Sequence, residues 1–276
     1  MTSEQKRETI LYLLLTFLIS WASWSLLVLL GIPAKANALS MSLYLLGGWS
    51  PTIVALVLPL LYGRGSTSVP YKRHFNFIIQ ARYYLLPILA AVLMASVSYG
   101  AMLMLDAKAA ASLRIQPLYM IMPLFVSMVI GGGLEEFGWR GMLVHNLQKH
   151  NPLLISLGVG LVWAVWHMPL FFLGGVGQYQ ALYLPFLISI IAYSLVLTPL
   201  YLKSGSIIPC ILFHALANGF GELGFRYGSD LFTASMMDSL IKLGIGAVSF
   251  VVLNSKWFAF TQVKTMDYAS GGAKSC

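Results

Sequence analysis

Long apolar runs separated by short polar stretches make up most of this chain. Eight of them can be read as candidate membrane spans: Ile10–Leu30, Met41–Tyr62, Tyr83–Leu105, Leu118–Leu147, Leu153–Leu173, Ala181–Leu202, Ile207–Leu223 and Leu240–Phe260. Most approach the ~20 residues that cross a bilayer as helix. The fourth is longer and carries its charges toward its C-terminal end, which predicts extension past the hydrocarbon or a tilt. The seventh is short and interrupted by polar residues. Backbone groups in lipid must be satisfied within each segment, so helix is the expected form. The alternating pattern of a membrane β-barrel is absent. The pattern therefore predicts an all-α polytopic membrane protein of about eight transmembrane helices. It forms one integral-membrane domain over 1–276, with no internal repeat, and a polar tail over 261–276 that is expected to fray.

Composition agrees with this. The 276 residues are 58% hydrophobic and only 9% charged, against about 25% charged in soluble domains. The formal charge of +8 would raise nucleic-acid binding in a soluble protein. Here the cations cluster at span ends, where they set topology. No basic tract with interleaved aromatics suggests nucleic acid as a partner. With a cytoplasmic N-terminus, Lys6, Arg7, Arg64, Lys72, Arg73, Arg82, Arg140, Lys149, Lys203, Lys256, Lys264 and Lys274 face inward. Lys35, Lys108, Arg114, Arg226 and Lys242 face outward. That bias predicts N-in, C-in with an even number of spans. Lys72, Arg73 and Arg82 offer cations to anionic headgroups, although topology alone accounts for them. Cys210 and Cys276 suggest neither a disulfide framework nor a thiolate metal site. Ile10–Leu30 is too long for a signal-peptide core and reads as a retained anchor. Compact size and the lack of a targeting tail point to a prokaryotic plasma (inner) membrane.

Against this apolar background three polar motifs stand out, all within 118–223. The first is Glu135-Glu136-x-x-x-Arg140. Acids at hydrocarbon depth are costly and must be paired, hydrated or used. Glu136 and Arg140 are one turn apart and can pair, while Glu135 points about 100° away on a helix. The second is Trp163-x-x-x-His167, followed by Pro169, which loosens the helix and exposes carbonyls. The third is His214-x-x-x-Asn218, both on one face. Each has a plain structural reading: an ion pair at a helix end, a hydrogen-bonded core histidine, and polar contacts between helices. Their depths, however, agree. At helical rise Glu135 is about 18 Å from Leu147, His167 about 21 Å from Leu153, and His214 and Asn218 about 11 and 17 Å from Ile207.

Such a cluster has two chemical readings. Glu135 and His167 can hold and deprotonate a water, with His214 and Asn218 donating to a developing oxyanion. Alternatively Glu135, His167 and His214 are ligands of a catalytic metal, Zn2+ being the familiar case for one carboxylate and two histidines. No His-Glu-x-x-His helix motif decides between them.

In these motifs the chain resembles the CPBP family of intramembrane endopeptidases, also called Abi or type II CAAX prenyl proteases. The family pattern is Glu-Glu-x-x-x-Arg, then aromatic-x-x-x-His, then His-x-x-x-Asn/Ser. Order and spacing match across Leu118–Phe220. Trp163 stands where the family more often has Phe, a departure expected to alter pocket shape rather than chemistry. The resemblance implies an eight-helix core with a site opening to the cytoplasm. It also implies hydrolysis of a peptide bond in a membrane-associated or lipidated peptide or protein. Glu135 and His167 would activate water, His214 and Asn218 would stabilise the oxyanion, and Glu136 and Arg140 would brace the site. The resemblance leaves open whether the enzyme is a glutamate or a metal-dependent peptidase, and prenyl-protein cleavage is only one possibility. Two further readings stay open: a catalytically idle scaffold or peptide-toxin immunity protein, and a proton-coupled transporter.

Overall fold

The computed structural model describes residues 2–62, 74–105, 119, 121–222 and 231–258. Among them there are helices and turns but no strands. The helices are α1 (Ser3–Leu29), α2 (Ala38–Tyr62), α3 (Arg82–Leu105), α4 (Ile121–Gly131), α5 (Pro152–Trp166), α6 (Tyr183–Ser204), α7 (Ile208–Glu222) and α8 (Leu231–Asn254). Six stretches are apolar and long enough to cross a membrane unaided, involving α1, α2, α3, α5, α6 and α8. With the shorter α7 and the interrupted fourth span, the predicted all-α membrane bundle is present. Lys72 and Arg73, read above as cations that topology alone accounts for, and the predicted tail lie outside the described residues.

The fourth span is not one helix. Its glycine run Gly131-Gly132-Gly133 ends α4 and gives way to a single 3₁₀ turn, Gly133–Glu135. A helical turn (Glu136–Gly138), a π-helical segment (Trp139–Val144) and a last turn (His145–Leu147) follow. Glycine loses the most backbone freedom in a helix, so three in succession make a cheap place to break one. A break at membrane depth frees carbonyl groups that lipid cannot satisfy. Side chains of α2 meet them: Trp49 Nε1 donates to the Ile130 carbonyl at 2.8 Å, and Thr52 Oγ1 to the Leu134 carbonyl at 2.6 Å. π-Helical segments of this kind are frequent at functional sites.

Two predicted boundaries move. α1 begins at Ser3, where Thr2 and Gln5 form a capping box. α8 begins at Leu231 rather than Leu240, because Lys242 pairs with Asp238 one turn earlier at 2.6 Å, so the helix carries both charges. Four fully buried indoles, Trp24, Trp139, Trp163 and Trp166, fill the centre. Trp166 packs on Trp24 at 4.8 Å and on Trp139 at 5.6 Å between ring centroids. Its Nε1 donates to Ser20 Oγ at 2.6 Å, which ties α5 to α1.

The bundle has two distinct ends. At one, Asn146 Nδ2 donates to Thr9 Oγ1 at 3.1 Å and Arg82 Nη1 to the Trp257 carbonyl at 2.5 Å. There too, the Ile207 N–H donates to the His74 carbonyl at 3.0 Å. These bonds collect the starts of α1, α3 and α7 with the ends of the fourth span and α8. At the other end the Ala34 N–H donates to the Gly174 carbonyl at 2.9 Å, joining the α1–α2 turn to the segment after α5.

Candidate active site

Glu135 and Glu136 follow the glycine break directly, and their environments differ. Glu136 and Arg140 are both 0% exposed. Arg140 Nη1 lies 3.0 Å from each Glu136 carboxylate oxygen, as the one-turn spacing implies. The guanidinium carbon also sits 4.9 Å from the Trp163 ring centroid, a cation–π contact. Glu136 has a second partner that its spacing to Arg140 did not reveal. His214 Nδ1 donates to Glu136 Oε1 at 2.7 Å. A carboxylate oxygen accepts, so Nδ1 carries the proton and Nε2 is left for other work. Glu136 therefore orients His214 as well as neutralising Arg140.

Glu135 faces a large cavity instead. Two indoles hold one of its oxygens: Trp163 Nε1 donates to Oε2 at 2.9 Å and Trp139 Nε1 at 3.2 Å. The other oxygen, Oε1, makes no hydrogen bond among the described residues. The bond from Trp163 corrects the expectation that this tryptophan merely reshapes the pocket. A phenylalanine has no N–H to give, so the departure from the family pattern acts on the carboxylate itself. Trp163 also edges against His214 at 5.1 Å and lies 5.9 Å from the His167 ring.

His167 caps the C-terminus of α5. Its Nδ1 lies 2.8 Å from the Trp163 carbonyl, which can only accept, so Nε2 carries the lone pair. Pro169 prevents the helix from continuing through this point. The freed Trp166 carbonyl is met by Trp21 Nε1 at 3.1 Å. Glu135 and His167 line the same cavity but share no hydrogen bond among the described residues.

His214 and Asn218 project together from α7 against the glycine break. A Cβ built on Gly132 would lie 2.6 Å from Asn218 Nδ2 and 2.8 Å from His214 Nε2. Only a residue without a side chain lets α7 bring these two groups so close. Sequence reasoning missed Gly132 and Trp139. The signals were available: a glycine triplet directly before the acids, and an indole one turn after Glu135.

The cavity encloses about 1130 Å³. Glu135, His167, His214 and Asn218 line it, and aromatic and aliphatic side chains supply most of the remaining wall. Among the described residues no three His, Cys, Asp or Glu side chains are placed to hold an ion. Nδ1 of each histidine and Oε2 of Glu135 are committed elsewhere, which leaves Nε2 of both rings and Oε1 as the atoms that would hold a metal, the pattern in which a ligating imidazole gives its other N–H to a carboxylate or carbonyl.

From the level of Glu135, His167, His214 and Asn218 the cavity lining extends to Lys35, Gly177 and Gln178, at the end of the bundle away from the start of α1 and the end of α8.

The family model described as type II CAAX prenyl endopeptidase Rce1-like matches residues 117–220. A curated protein of Methanococcus maripaludis named CAAX prenyl protease 2 is 27% identical over 235 residues, covering 79% of this chain and 85% of that relative. The matched segment contains the glycine break, both acids, Trp163, both histidines and Asn218.

Proposed function

We propose that this chain, which belongs to the CPBP family of type II CAAX prenyl endopeptidase-like proteins and is a multi-pass membrane protease by that membership, cleaves its peptide bond with a water activated at Glu135. Glu135 Oε1 accepts the proton of that water while the two indoles keep Oε2 fixed. His167 Nε2 takes part as a second acceptor and relays the proton toward the leaving amine. The scissile carbonyl lies toward α7, where Asn218 Nδ2 and His214 Nε2–H hold the oxyanion as it forms. Donation from Nε2 requires a ring protonated on both nitrogens, with its Nδ1–H held by the carboxylate that Glu136 shares with Arg140. Preorganised donors of this kind, away from bulk water, lower the barrier because they need not reorient during reaction. The substrate is a membrane-associated or lipidated peptide segment that enters the apolar cavity extended. The curated relative's name makes prenylated peptides one class to test.

The observation that carries this reading is the carboxylate of Glu135, pinned through one oxygen by Trp139 and Trp163 and open to the cavity through the other. The test compares purified wild type with Glu135→Gln on a lipid-anchored fluorogenic peptide, with and without a chelator. The variant should lose about 10²–10⁴-fold in kcat, the usual contribution of a positioned acid–base group, and wild-type cleavage should resist the chelator. Full activity in Glu135→Gln would overturn the assignment of the base. Loss of wild-type activity to the chelator, restored by zinc, would favour the metal alternative.

A further inference from the structure

We propose that Lys242, paired with Asp238 on α8, is a specificity-determining residue that binds a carboxylate of the peptide substrate beside the reaction site. This role rests on the protease reading and adds the chemical class of one substrate group. Lys242 lies outside the segment 117–220 that the family model matches, so the family motifs do not account for it. α8 turns two different faces to its surroundings. Phe232, Leu240, Val248, Val251 and Val252 are exposed apolar side chains. The residues that α8 gives to the cavity lining are Ser235, Asp238 and Lys242. Spaced three and four apart, they form one polar stripe along the helix. Elsewhere the wall carries side chains such as Trp24, Tyr44, Trp49, Trp166 and Phe186. Lys242 Nζ lies 2.6 Å from Asp238 Oδ2, and the two side chains are 21% and 15% exposed. Ionisable groups within a membrane bundle that face a cavity commonly serve a substrate or an ion.

The stripe is held close to the site. A Cβ built on Gly246, one turn after Lys242, would lie 2.6 Å from the Ala192 carbonyl oxygen of α6. The missing side chain lets α8 approach α6, and Lys242 Nζ lies 6.0 Å from the centroid of the Tyr193 ring. Tyr193 packs edge-on to Phe213 at 5.6 Å, and Phe213 directly precedes His214. Tyr193, Ala217, Asp238 and Lys242 line both the main cavity and a side chamber of about 80 Å³ that reaches Met94 and Ser98 of α3. Ala217 is the neighbour of Asn218. The ion pair therefore stands next to the two residues assigned to the oxyanion. A carboxylate that enters an apolar cavity gives up water and needs a charged partner. An ammonium has three N–H donors on one nitrogen, so binding a second carboxylate does not require the first to leave. A cationic substrate group would pair with Glu135 in the same cavity and remove the base, so the productive substrate carries the anion. Its source is a chain end or an acidic side chain.

The test uses purified full-length protein in detergent and two pairs of lipid-anchored fluorogenic peptides. One pair has no acidic residue and ends in a carboxylate or an amide. The other ends in an amide and carries Glu or Gln on the leaving side of the scissile bond. Wild type should favour the carboxylate member of one pair by about tenfold in kcat/KM, chiefly through KM, as expected for one hydrogen bond between charged groups. The pair that responds identifies the source. Lys242→Gln should bring the favoured peptide down to the level of its neutral counterpart, and Lys242→Arg should retain most of the preference. Asp238→Asn combined with Lys242→Gln leaves no unpaired charge and gives the same answer if the single variant folds poorly. Equal use of both members of both pairs by wild type overturns the inference. So does a preference that survives the double variant or is lost in Lys35→Gln instead. An equal loss on all the peptides, the result for a purely structural ion pair, overturns it too. Binding of the same peptides to Glu135→Gln, read by fluorescence anisotropy, separates this role from the protease mechanism. If Glu135 is not the base, that variant still cleaves and the binding preference remains. If Lys242 is not the carboxylate partner, the variant is inactive and binds charged and neutral members equally.

Discussion

The two ends of this bundle use their polar side chains in opposite ways. At the end away from the cavity mouth most polar side chains pair with one another, while Asn146 Oδ1 and Arg82 Nε have no hydrogen-bond partner among the described residues. The Tyr201 hydroxyl bridges His74 Nδ1 at 3.0 Å and His145 Nδ1 at 3.2 Å, and Ser206 Oγ donates to the Asn76 carbonyl at 2.8 Å. This seals the segment between α2 and α3 against the turn joining α6 to α7. Around the cavity each candidate group has one atom hydrogen-bonded and a second without a hydrogen bond among the described residues: Oε2 against Oε1 in Glu135, and Nδ1 against Nε2 in His167 and His214. Histidine and acid residues occur at both ends, so residue type does not separate structure from chemistry. What separates them is whether the second polar atom has a protein partner. A fully satisfied network is rigid and inert, while a half-committed one has fixed geometry and spare capacity.

That contrast is most exposed at Glu136, whose Oε1 accepts from both Arg140 and His214. Glu136→Gln leaves Arg140 buried without its counter-charge, and breaking a buried pair from one side costs about 3–5 kcal/mol. Thermal unfolding in detergent should show a large drop, accompanied by lost activity because His214 loses its orienting partner. An unchanged melting curve would mean that Glu136 belongs with the half-committed groups. Gly132→Ala comes next. Its methyl group would push His214 and Asn218 away from the break, and a misplacement of this order costs about 10²-fold in rate. The melting temperature should change less than the rate; wild-type kcat would show that α7 can yield without consequence.

Trp163→Phe removes one of two donors to Glu135 and restores the residue more usual in the family. A tenfold fall in kcat corresponds to about 1.4 kcal/mol, within the range of a hydrogen bond to a charged group, so about tenfold is expected. Trp163→His, which keeps an N–H, should recover part of that loss if the bond rather than ring size is responsible. Equal activity in wild type and Trp163→Phe would leave Trp139 sufficient alone. The smallest effect is at the sealed end. Tyr201→Phe removes the hydroxyl between the two histidines and should lower stability by about 1 kcal/mol with kcat unchanged. A rate loss there would mean the two ends are coupled.

Much of the fold was legible because the bilayer imposes strict rules. Length and apolarity located every span, and the one-turn spacings of Glu136 with Arg140 and His214 with Asn218 put each pair on a common helix face. The errors lie where a partner changes the meaning of a residue. The eighth span was expected from Leu240, but the Asp238–Lys242 pair sits inside a helix that starts at Leu231. Trp163 looked like a variation in size, but it donates to an acid 28 positions earlier. The glycine triplet was given no role from the sequence, yet the absence of a side chain at Gly132 admits α7 to the site.

By itself the sequence determined the membrane class, the candidate chemistry and the asymmetry of positive charge, since these depend on composition and on distances along one helix. Only the tertiary structure decided that Glu136 serves His214 and that two indoles fix Glu135. Those facts depend on which faces of separate helices meet, and that is set by packing across the bundle rather than by spacing along the chain.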